Sequence, residues 1–181
     1  RRYVPTMTNS RLLTVVIALL SLVLTSLGWA HQPRFYEGIG PFEVEDPTIS
    51  KAYYMTIYNG EIHTFIIPAL ERTIPVQVLV LDDELGRSLE MFATATCNAE
   101  KKQLSRVDQP FYEPYSKIEH RYRVVDAIGP TDGPCVIEIE ELAKRAGPYV
   151  FSVGDEERFG INDILGMVNL GRKLNAWKAG P

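Results

Sequence analysis

Lys51–Ile67 reads KAYYMTIYNGEIHTFII, and its pattern decides the fold. Lys51–Tyr58 is aromatic and β-branched, and so is Ile62–Ile67; Asn59-Gly60 stands between them. Such side chains suit a pleated, half-buried surface. Asn-Gly accepts the two positive φ values of a type I′ turn, so the stretch predicts a hairpin. In the second run Ile62, Thr64 and Ile66 share one face, and His63, Phe65 and Ile67 share the other. Both faces are partly apolar, which places this strand inside a sheet.

Working outward, Val76–Leu81 (VQVLVL) is apolar on both faces and reads as a buried strand. In Cys135–Glu140, Ile137 and Ile139 alternate with Glu138 and Glu140, the pattern of a half-buried antiparallel strand. Gly147-Pro148 breaks the chain before a last strand at Tyr149–Val153. Ser88–Thr96 and Arg121–Ala127 are weaker strands, and Gly129–Pro134 is a turn by composition. Ala99–Gln109 is polar and reads as a surface loop or a helical turn. Asn162 can cap a short helix over Asn162–Val168, while Gly166 and Gly171 speak against a long one. Seven or so short strands with Gly/Pro turns predict a mainly β fold, an antiparallel β-sandwich of Ig-like or jelly-roll-like kind.

Toward the N-terminus, Leu12–Ala30 is apolar and uncharged, with Arg1, Arg2 and Arg11 before it. As a helix it spans about 28 Å, close to the ~30 Å hydrocarbon core. The predicted layout is a cytoplasmic basic tail over 1–11, a transmembrane anchor over 12–30 and an extended linker over 31–46. A sandwich over 47–160 and a C-terminal tail with a short helix over 161–181 complete it. The leading arginines place the N-terminus inside a bacterial cytoplasmic membrane and the body outside. The rival is a signal peptide cleaved after Gly28-Trp29-Ala30, which frees His31.

The first 30 residues carry three arginines and no acid, so the other 151 carry 16 cations against 23 acids, a net −7. That balance argues against nucleic acid as a partner. Cys97 and Cys135 are the only cysteines, and outside the cytoplasm such a pair reads as a disulfide.

The chain has no phosphate-binding Gly loop, nucleophile elbow or zinc spacing. His31, His63 and His120 show no ligand pattern, so no metal or cofactor is expected. One copper reading stays open, in which a free amino-terminal His31 and a second histidine converge. Asp82-Asp83-Glu84 and Asp155-Glu156-Glu157 lack the spaced acids of a calcium loop and read as solvated turns. Phe111, Tyr112 and Tyr115 form an aromatic cluster that, with Tyr53, Tyr54 and Tyr58, suits a platform for a partner or a sugar, core packing being the alternative. Trp29 fits the membrane interface, and Trp177 docks the tail on the body or on a partner.

Three stretches carry a resemblance: Pro47–Tyr54 (PTISKAYY), Phe111–Pro114 (FYEP) and Gly147–Phe159 (GPYVFSVGDEERF). They resemble a group of extracytoplasmic β-sandwich proteins of bacteria and archaea. The resemblance implies the sandwich and the compartment, and brings no catalytic residue with it.

The expected function is therefore not enzymatic. The first expectation is an accessory or structural subunit of a membrane complex such as a photosynthetic or respiratory assembly. Its partners are the lipid bilayer and other membrane subunits, met through the helix and the sandwich. The second is a periplasmic ligand- or carbohydrate-binding module, and the third is a copper- or other metal-binding protein, a carrier or a metal-dependent enzyme, using a processed His31.

Overall fold

The computed structural model describes residues 31–113, 116–158 and 169–180. The Leu12–Ala30 segment, Trp29, Tyr115 and the helix expected at Asn162–Val168 lie outside the described residues. Among those described, no helix is long and apolar enough to cross a membrane.

In chain order the strands are β1 (Gln32–Phe35), β2 (Phe42–Glu43), β3 (Lys51–Ile57), β4 (Ile62–Ile67), β5 (Ile74–Leu81), β6 (Met91–Cys97), β7 (Glu100–Gln103), β8 (Arg106–Glu113), β9 (Ile118–Ile128), β10 (Cys135–Glu141) and β11 (Gly147–Val153). Among the described residues two helices, α1 (Glu84–Ser88) and α2 (Leu170–Lys178), accompany them. The strands form a six-stranded sheet, β1-β3-β11-β5-β9-β8, and a five-stranded sheet, β2-β4-β10-β6-β7.

Both sheets are mixed, which corrects the purely antiparallel expectation. β1 runs parallel to β3 and β2 runs parallel to β4. These two strands come from residues 31–46, the supposed linker. The segment therefore adds a strand to each sheet instead of leading to the body. Ala99–Gln109 is likewise strand, supplying β7 and the start of β8.

The expected hairpin is absent for a backbone reason. Gly60 has φ +77, and Asn59 is not among the positive-φ residues. The Glu61 N–H donates to the Tyr58 carbonyl at 3.0 Å. One positive φ, at the third position, makes a type II turn, whose twist splays the flanking strands. The chain thus crosses from one sheet to the other: β3 pairs with β11 and β4 with β10.

The facing sides of the sheets share one core. Phe65, Ile137 and Ile139 meet Tyr53, Met55, Val78 and Phe151 there. Every residue of β11 is buried, because both faces of that strand are covered. On its far side the six-stranded sheet presents Ala52, Tyr54, Leu79, Leu81, Ile118 and Val150, packed under Leu170, Leu174 and Trp177 of α2. The spacing of those three residues, i, i+4 and i+7, is one helical stripe.

A bulge in β9 divides the two cores. Val78 pairs with Val124 and Leu79 with Tyr122, so Arg123 is the extra residue. The bulge swaps faces: Ile118 and Tyr122 look toward α2, while Val124 and Ile128 look inward. Arg123 itself donates to the Arg87 carbonyl at 2.6 Å, at the end of α1. Cys97 and Cys135 sit directly opposite each other on β6 and β10 and are disulfide-bonded.

Candidate functional site

A groove lies where α2 meets β1 and β3. This groove, about 660 Å³, is lined by Phe35 of β1 and Tyr36, Glu37 and Gly38 after it, by Tyr54, Met55 and Thr56 of β3, and by Tyr58 just beyond β3. Lys173, Ala176 and Trp177 of α2 form the opposite wall. Phe35 and Tyr54 are register partners, which stacks their rings 5.0 Å apart. The Trp177 ring meets Tyr54 edge-on at 4.9 Å, and its Nε1–H donates to the Met55 carbonyl at 2.8 Å. The Lys173 ammonium stands 5.5 Å above the Phe35 ring, a cation–π contact. Tyr36 is 39% exposed and Tyr58 49% exposed. The Tyr36 ring also meets Phe42 and Tyr53, at 5.3 and 5.6 Å. Glu37 and Lys173 are exposed as well, so the groove joins part-exposed aromatic side chains to one carboxylate and one ammonium. Such a surface can stack on an apolar ring face and exchange hydrogen bonds at its rim.

A buried polar seam lies under the same helix. His31, Tyr54, Glu113, His120 and Ser152 line a cavity of about 20 Å³. The His31 ring is hydrogen-bonded with Ser50, and Ser152 Oγ is 3.4 Å from it. Glu113 accepts from the Ser116 hydroxyl and, at 3.5 Å, from Tyr54. Burial raises the Glu113 carboxyl and the Tyr54 phenol, and lowers His31. Burial also pushes His120 down to about 4, against a smaller upward effect of its bond with the Val80 carbonyl. Its Nδ1 has no partner among the described residues.

A third polar set joins the sheets. Tyr149 Oη and His63 Nδ1 are 2.8 Å apart, and His63 Nε2 is 3.3 Å from Glu61. Because Glu61 takes the Nε2 proton, Nδ1 is left to accept from the tyrosine. Burial lowers His63 despite Glu61 and raises Tyr149 well above the ordinary range. Neither ring lines the groove.

The expected aromatic cluster does not form one platform. Phe111 turns toward the α2 side and packs on Tyr122, with ring centroids 4.9 Å apart. Tyr112, one residue on, points the other way and is 54% exposed. Trp177 docks on the chain's own sheet, with 7% of its surface exposed. The acidic runs are turn and cap residues. Asp83 caps α1, Asp82 pairs with Arg87 and Arg121, and Arg72 holds Asp155 and Glu156. Among the described residues no three His, Cys, Asp or Glu side chains converge as metal ligands.

Of the tyrosines expected to form a platform, Tyr54 and Tyr58 line the groove and Tyr53 does not; Phe35, Tyr36 and Lys173 lie outside the sequence expectation. Their nearest signal is the Leu170, Leu174, Trp177 spacing, which announces a helix face that must cover something. No family model and no curated protein matches the chain. A solved structure of Salmonella Typhimurium PliG, a periplasmic lysozyme inhibitor of g-type lysozyme, matches with a TM-score of 0.37 at 15% identity. It covers 62% of this chain and 95% of that one.

Proposed function

We propose that the chain is a non-catalytic recognition module outside the cytoplasm, held to the membrane by Leu12–Ala30, that binds an oligosaccharide in the aromatic groove. In this reading the two sheets form a β-sandwich that carries the groove. The observation behind it is the pairing of exposed Tyr36 and Tyr58 rings with Glu37 and Lys173 in one open concavity. A pyranose has apolar faces and a rim of hydroxyls, and the two kinds of side chain match the two parts. The Cys97–Cys135 bond supports the compartment, since disulfides persist where the surroundings are oxidising.

The test is a calorimetric titration of the full chain, in mild detergent, with chitotetraose and cellotetraose. Tyr58→Ala should weaken binding about tenfold, equivalent to about 1.4 kcal/mol. If the wild type binds neither sugar, or Tyr58→Ala binds as well as wild type, the reading fails.

A second reading, an accessory subunit of a membrane assembly, draws on exposed Tyr112. That residue lies on β8, the outermost strand of the six-stranded sheet among the described residues. A stoichiometric assembly that survives Tyr58→Ala and dissociates with Tyr112→Ala would favour it.

A further inference from the structure

The groove has walls from two elements that differ in how firmly they are held. β1 and β3 belong to a sheet, and β3 is paired on both sides. The opposite wall belongs to α2, which has nine residues. Isolated helices below about 12–15 residues are marginal at best in water. α2 also carries Gly171, and its N-cap residue Asn169 makes no side-chain cap bond. Its helical form therefore depends on docking Leu170, Leu174 and Trp177 on the sheet. An undocked α2 would lose helix and contact together.

The docking side chains and the ligand wall overlap. Trp177 anchors α2 to the Met55 carbonyl and lines the groove; Lys173 sits over Phe35 and lines it too. Leu174 is different: it is buried against the sheet and does not border the groove. A ligand that touches both walls binds the docked state better than the undocked one, so it must shift the chain toward docking.

We propose that α2 is a clamp: docking of the C-terminal helix and occupancy of the aromatic groove are one coupled equilibrium. This rests on the groove being the sugar site. Affinity then falls in proportion to the docked fraction. Leu174 becomes a positioning residue that sets affinity without touching the ligand.

The experiment uses the full chain in mild detergent. Chitotetraose and cellotetraose are titrated into wild type and Leu174→Asp, and amide exchange of α2 and β11 is followed with and without sugar. Leu174→Asp should bind at least about tenfold more weakly, as a docked fraction of a tenth requires, with β11 protection unchanged. In wild type, α2 amides should exchange faster than those of β11 and slow when sugar is added. Wild-type affinity in Leu174→Asp overturns the clamp, as does α2 protection equal to that of β11 in the free chain. A wild type that binds neither sugar overturns the site reading instead. The free-chain exchange comparison then still decides whether α2 opens.

Discussion

Acid should destabilise this domain through His120 by roughly 3 kcal/mol. The ring is buried under Trp177, with centroids 6.2 Å apart, and the Lys178 ammonium disfavours a second charge there. Its other neighbours are Tyr54, Glu113, His31 and Ser152 across the small cavity. In the folded chain His120 titrates at about 4, against an unfolded value near 6.5. A depressed histidine contributes stability that is whole above the unfolded value and is lost as pH falls to the folded one. Between about pH 6.5 and 4 the unfolded chain takes up a proton that the native chain does not. A difference of about 2.5 units at 1.36 kcal/mol each gives roughly 3 kcal/mol, a large share of a typical domain's stability. Urea unfolding of the full chain across that window measures it. His31 and His63 are also lowered and add slope of the same sign, so the comparison is with His120→Phe. The variant should lose most of the slope, whatever its absolute stability. Asp126 does not confuse the result, because it is held to about 2 and loses its contribution below the window. Equal slopes in wild type and His120→Phe would refute the argument.

Two other outcomes follow from the core. Replacing Cys97 and Cys135 by serine opens a loop of 38 residues' separation and should lower stability by about 4 kcal/mol in the chain-entropy model, read as a fall in urea midpoint. Tyr149→Phe removes the donor facing His63 Nδ1 inside the core. It should cost about 1–3 kcal/mol in the same assay, the penalty of a buried unpaired acceptor.

The strands that bury both faces were legible from sequence. Val76–Leu81 and Tyr149–Val153 carry apolar side chains on both sides, and Cys135–Glu140 alternates, because burial imposes those patterns. β1 and β2 were not legible. Gln32–Phe35 is polar, proline-bearing and half-buried, and a strand paired on one side needs little apolar content. Asn59-Gly60 signals a turn truly, but the turn's hand is a backbone outcome that two residue names do not settle. In β9 the bulge at Arg123 breaks the alternation, so Arg121–Ala127 reads as a weak strand when the true one is longer. The groove was beyond sequence reasoning for another reason. Its walls lie more than a hundred residues apart, and no local pattern reports that Lys173 will sit over Phe35.

The turn that sends β3 and β4 into different sheets has a consequence for how the chain reaches its fold. Lys51 finds its partner at Val153, 102 residues later, and Ile62 finds Glu140, 78 residues later. Long-range pairings of this kind make folding slow, because the loop must close before the contact rewards it. A chain synthesised N-terminus first displays β3, β4 and β5 without their partner strands until β10 and β11 arrive. The order of synthesis and the order of assembly thus conflict. During that interval the apolar strands already made lack the partners that cover them, the condition in which chains aggregate.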